Sequence, residues 1–154
     1  MAFKILVVIG LLGLCVSIGD KVPPHMQKNV EGGELELCND NPVTGYFRDG
    51  YCRTDDHDYG SHTVCAEVSK EWLDFQKMSG NDLITPKPEF RFPGLKPGDN
   101  WCLCAGRWKQ GVMQGLPLRV IINATNMRAL EDVSSDDLFN SYQACPIPQD
   151  QQDL

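Results

Sequence analysis

The sequence has no run of lysine or arginine, and its 14 cationic residues against 21 acidic ones leave a net charge of −7. A surface of that sign repels phosphate backbones, which excludes nucleic acid as the expected partner. Beyond residue 16 no apolar run approaches the roughly 20 residues needed to cross a bilayer. Also missing are a Gly-x-Ser-x-Gly elbow, a phosphate-cradling glycine loop, a His-Glu-x-x-His pair and a Cys-x-x-Cys. The familiar catalytic routes therefore leave no signature. There is no internal repeat and no low-complexity segment.

What is present begins with a leader. Lys4, the apolar run from Ile5 to Val16 and the small residues Ser17 and Gly19 precede the charged pair Asp20-Lys21. Those are the three parts of a secretory signal, so residues 1–19 are predicted to be removed after Gly19, with Ser17 as the alternative site. The expected location is secreted or extracellular, with no membrane partner once the leader is gone. The ending Gln-Gln-Asp-Leu faintly echoes a retention signal, which keeps the ER lumen as a second expectation. Cleavage takes Lys4 away and makes the remaining chain one unit more negative.

Of seven cysteines, Cys15 leaves with the leader. Cys38, Cys52, Cys65, Cys102, Cys104 and Cys145 remain, an even number that in an oxidising compartment points to disulfides. Each bridge is worth about 2–4 kcal/mol. At least four of the six are expected to be bonded. Cys145 is expected among them, with Cys38 as its preferred partner, because a tie there would secure a chain end. Cys102 with Cys104 is the pairing least expected, since two residues enclose too tight a ring.

Along the chain, residues 20–34 read as a polar, extended lead-in. Asp49-Gly50, between Thr44–Arg48 and Tyr51–Thr54, predicts a tight hairpin with Cys52 opposite Phe47, which makes Asp49 a turn residue. His62–Ala66 reads as a short strand. Ser69 is predicted to cap a helix over 70–80 that places Trp72 and Phe75 in the core, with Gly80 just past its end. Residues 85–98 hold four prolines and two Pro-Gly steps, each suited to a type II turn. A long loop of this kind tends to be functional, and the alternating Phe90 and Phe92 anchor it.

Asp99 is then a candidate cap for a helix over 100–114, with Trp101, Cys104, Ala105, Trp108 and Val112 on one face. The competing reading makes Trp101–Cys104 a strand, which would point Cys102 and Cys104 the same way. Leu118–Ala124 predicts a buried strand. It carries Asn123-Ala124-Thr125, an N-glycosylation acceptor pattern, with Asn123 on the face opposite Val120 and Ile122. A last helix over 134–144, capped by Ser134 or Ser135, carries Leu138, Phe139 and Tyr142. The expected fold is α+β, a single compact domain over 29–145 with short antiparallel strands, about three helices and disulfide staples. Residues 146–154 are expected to form a flexible acidic tail.

The motifs Arg48-Asp49-Gly50-x-Cys52, Gly60-Ser61-His62-Thr63-Val64-Cys65-Ala66 and Gly80-Asn81-Asp82-Leu83-x-Thr85-Pro86 stand in order. Phe92-Pro93-Gly94-Leu95-Lys96-Pro97-Gly98-Asp99 and Trp101-Cys102-Leu103-Cys104-Ala105-x-Arg107-Trp108 follow them. Together, over roughly residues 29–142, they resemble the largely bacterial DUF2237 family, a domain of unknown function. The resemblance implies no activity. It implies counterparts of Cys38, Cys52, Cys65, Cys102 and Cys104 in relatives without a leader, so those cysteines do not all exist to make disulfides. Cys145 is an addition. Asn126 stands where relatives have a histidine, which would impair this protein if that histidine were a ligand or a base.

Three functions remain open. The first is a module binding an unidentified ligand or protein through the 85–98 loop, with Phe90, Phe92 and Asp99 as contacts. The second is an enzyme centred on His62, Asp82, Asp99 and Arg107. The third is a zinc site from His62, Cys65, Cys102 and Cys104, three sulfurs and an imidazole. No cofactor is favoured, zinc being the one to test.

Overall fold

Ser69 ends an extended stretch, and its hydroxyl accepts from the Trp72 amide at 3.1 Å, satisfying one of the helix's orphan donors. That starts α1 (Lys70–Met78), which Ser79 closes before Gly80 takes a positive φ of 81°. The computed structural model describes residues 26–144. The predicted leader, the tail and Cys145 lie outside them.

The chain order is β1 (His62–Glu67), α1, β2 (Asn100–Cys104), α2 (Ala105–Met113), β3 (Arg119–Val120) and α3 (Ser135–Ala144). The strands form one antiparallel sheet in the order β2-β1-β3. The α+β expectation holds, three helices included.

Alternation along the strands gives the sheet two unlike faces. Val64 and Ala66 of β1, with Trp101 and Leu103 of β2, join Trp72, Leu73, Trp108 and Leu138 in the main core. Gly111 lets α1 and α2 approach, because a Cβ there would lie 2.3 Å from Trp72 Nε1. The opposite face carries Cys65 and Cys102, packed with Cys38, Cys52 and Ala124. Two disulfides form there, Cys38–Cys65 and Cys52–Cys102, with Cα separations of 5.8 and 5.2 Å. Cys38 therefore takes Cys65 and is not available to Cys145.

Several expectations need correction. Residues 100–104 are strand, and α2 begins only at Ala105, so Trp101 and Cys104 belong to β2. Asp99 does not cap a helix; its carboxylate accepts from the Lys96 amide at 2.8 Å and closes a turn. The hairpin at Asp49-Gly50 is absent. Gly50 does turn at φ 89°, but the Asp49 carboxylate is engaged by the Tyr51 amide and Arg53, while Cys52 is drawn to Cys102. Thr44 Oγ1 instead accepts from the Cys102 amide at 2.9 Å, so this segment seals the outer edge of β2. Residues 28–34 are a bridged turn organised by the Asn29 side chain, not an extended lead-in.

The strand predicted over 118–124 shrinks to Arg119–Val120 and then coils into a 3₁₀ turn. Asn123 is exposed and Ile122 buried, but within this 3₁₀ turn rather than by strand alternation. Trp72 is fully buried while Phe75 is only half-buried. Ser134 caps α3 through the Asp137 amide.

Candidate active site at Cys104

His62 opens β1 directly opposite Cys104, the last residue of β2. The register slips between His62 and Val64, which gives β1 one extra residue. Just before it, Ser61 is held in the left-handed region at φ 50° while its carbonyl accepts from the Ala105 amide at 2.9 Å. Non-glycine residues in that region cluster at functional sites. The irregular start of β1 is thus tied to the first turn of α2.

Asp58 lies in the turn before β1 with its side chain fully buried. One carboxylate oxygen is 2.5 Å from His62 Nδ1, and the other accepts from the His62 amide and Thr54 Oγ1, both at 2.9 Å. Burial alone would raise the Asp58 carboxyl. The hydrogen bonds from His62 and Thr54 outweigh it and hold the group below the usual carboxylate range. With Nδ1 taken, Nε2 is the imidazole nitrogen left for Cys104, which stands opposite His62 in the strand register. The bond to Asp58, then that to Cys104, raise His62 to about 10 against the opposing pull of burial.

Cys104 is the free cysteine among the described residues and is half-buried. It occupies the N-cap position of α2 with no side-chain cap. Ser61 takes the Ala105 amide, so those of Gly106 and Arg107 precede any intrahelical acceptor. A cleft of about 450 Å³ opens over this point, walled by Tyr59, Ser61, Cys104, Gly106, Arg107 and Asp132. A Cβ on Gly106 would meet nothing within 4 Å. Gly60 is the opposite case. A Cβ there would stand 2.7 Å from His62 Cε1 and 3.3 Å from Cys104 Sγ.

Of the enzyme candidates, Arg107 lines this cleft, and His62 is paired with Cys104 in its wall. Arg107 reaches the Ser79 carbonyl and Gln110 Oε1. Asp82 does not join them: the amide and hydroxyl of Thr85 hold its carboxyl well below the usual range, with Lys77 at 3.2 Å. Asp99 stays in its turn. The zinc set is divided, because Cys65 and Cys102 are in different disulfides and offer no thiolate in this form. Of the loop contacts, Phe92 is buried edge-on to Trp101 at 5.3 Å, while Phe90 remains 65% exposed.

The residue that sequence reasoning missed is Asp58, and Cys104 appeared there only as a disulfide candidate or a metal ligand. The signal available was the four-residue step from Asp58 to His62. Asn126, buried at 2% exposure, bonds Gln27 in the wall of a larger cleft of about 700 Å³. That cleft and the one at Cys104 share no lining residue.

No curated protein matches the chain. The family model described as "Uncharacterized protein conserved in bacteria (DUF2237)" matches residues 28–142, which span all three strands and the Asp58–His62–Cys104 chain, and the protein belongs to that family.

Proposed function

We propose that the protein is a cysteine-dependent enzyme of the acyl-transfer or acyl-hydrolysis class. The observation that carries this reading is the placement of Asp58, His62 and Cys104 at the start of α2, with Asp58 bonded to His62 Nδ1 and His62 opposite Cys104 in the strand register. Cys104 is the nucleophile, His62 the proton carrier and Asp58 the positioning residue that fixes the ring. An imidazolium and a helix N-terminus are the surroundings in which a cysteine reacts as thiolate.

His62 already carries the proton as imidazolium, and the Cys104 sulfur attacks an acyl carbon in the cleft as the thiolate. The amides of Gly106 and Arg107 are the donors nearest the oxygen that becomes charged. Collapse expels the leaving group, which takes the proton from His62 and leaves an acyl thioester on Cys104. Water or a second nucleophile then releases the acyl group, with His62 as base. A generic activated acyl ester tests the reading: mass spectrometry should find one acyl group on Cys104, and none on Cys104→Ser. Acylation elsewhere, or equal acylation of His62→Gln, would refute it.

A second reading keeps loop 85–98 as a binding surface for a partner that presents an anion. Arg48 and Arg91 line one cleft of about 490 Å³ together with Asp40, and Phe90 projects from the same loop. Arg91→Ala should weaken capture of a carboxylate or phosphate probe without changing Cys104 acylation. Unchanged capture would remove this reading.

A further inference from the structure

The two disulfides are not separate staples. Sγ atoms of Cys38, Cys52 and Cys102, drawn from both bridges, all lie within 4.8 Å of one another. Cys65 lies beside the group, bonded to Cys38 and paired with Cys102 across the β1–β2 pair. All four are buried, from 0% to 6% exposed, with Ala124 and Ile121 around them. The bridges converge because Cys65 and Cys102 are paired across β1 and β2.

We infer that Cys38, Cys52, Cys65 and Cys102, once reduced, form a thiolate site for a soft divalent cation of the zinc type. A tetrahedral zinc–thiolate centre has Zn–S bonds of about 2.3 Å and so separates its sulfurs by about 3.8 Å. Three of the four sulfurs already lie within 4.8 Å of one another and the fourth is bonded to one of them, so reduction requires local rearrangement of neighbouring side chains. The ligands come from two loops and two neighbouring strands, so the fold assembles the site without a short knuckle motif. That is why no zinc spacing is visible in the sequence. Cys104 is outside the set because it faces His62, and Cys38, at the rim, is the entry point.

Each bridge opens by taking two electrons from a phosphine reductant. Water supplies two protons to the sulfurs and its oxygen to the phosphine oxide. Binding the cation then releases the thiol protons to solvent. Every sulfur is either in a disulfide or on the metal, so the two states exclude each other. The redox poise of the compartment selects between them. A reducing environment converts the stapled face into a metal-held one.

The test uses the full chain, reduced anaerobically with a phosphine and titrated with cobalt(II), whose thiolate charge-transfer absorption reports sulfur ligands. One ion per chain with that absorption is expected, together with loss of binding after reoxidation. Cys104→Ser should bind as the parent does, whereas Cys52→Ser should lose at least about tenfold in affinity. Since Cys52→Ser lacks a bridge, circular dichroism must show it folded. If it does not fold, peptide mapping of the parent takes its place, with cation expected to protect all four cysteines from alkylation while Cys104 stays labelled. No uptake by the reduced chain, or binding abolished by Cys104→Ser and kept by Cys52→Ser, overturns the inference.

Discussion

The two faces of the sheet are built by different physics. Toward the helices, burial of Trp72, Leu73, Trp108 and Leu138 supplies the stabilisation, and nothing there is reactive. On the other face the apolar area is small, and covalent bonds replace it. The sheet's free edge and the turns around it are held by single polar contacts such as Thr44 to Cys102 and Asp58 to His62. Chemistry sits at the boundary, where β1 and β2 end and the rigid start of α2 meets an irregular turn. The helix-covered face makes the frame, and the stapled face positions the reactive groups.

Substitutions should divide along the same line. Trp108→Ala should have the largest effect on stability, about 3–5 kcal/mol, because it empties the middle of the helix-covered core. Denaturant titration checks it, and a loss below about 1 kcal/mol would mean that the frame lies elsewhere. Cys52→Ser should cost about 2–4 kcal/mol under oxidising conditions, and this cost should vanish against a reduced parent. Gly111→Ala should cost about 1–3 kcal/mol through the Trp72 indole, with Cys104 alkylation unaffected. Gly60→Ala should do the reverse, barely moving the melting temperature while displacing the ring from Cys104 and suppressing acylation. If Gly60→Ala acylates normally, the contact between His62 and Cys104 does not matter to function.

How far the sequence could be read follows the same boundary. β1, α1 and the Ser69 and Gly80 ends were legible because periodicity and caps are local signals. The Cys-x-Cys strand was misread as a helix for a local reason too: Asp99 looks like a cap, yet the true N-cap is Cys104, which has no capping side chain. Asp49-Gly50 suggested a hairpin, but a disulfide and the Asp49–Arg53 pair claim the residues that would have laddered. Asp58 was marked only by its four-residue step to His62, because it lies in a turn whose form depends on long-range contact with α2. Pairing of Cys38 with Cys65 likewise depends on tertiary approach.

The raised His62 value sets the pH behaviour. Its proton, retained in the folded state up to about 10 but only to about 6.5 when unfolded, adds stability that is full below about 6.5. That contribution is lost as pH rises through about 10. Asp58→Asn removes the main cause and should pull the transition back toward neutrality.

The central claim is that Asp58 and His62 make Cys104 reactive, and the rate of Cys104 alkylation against pH measures it most directly. With a small haloacetamide, the parent should label Cys104 faster near neutrality than unfolded chain does, while His62→Gln and Asp58→Asn should each slow labelling by at least about tenfold. Identical rates in all three proteins would contradict the account.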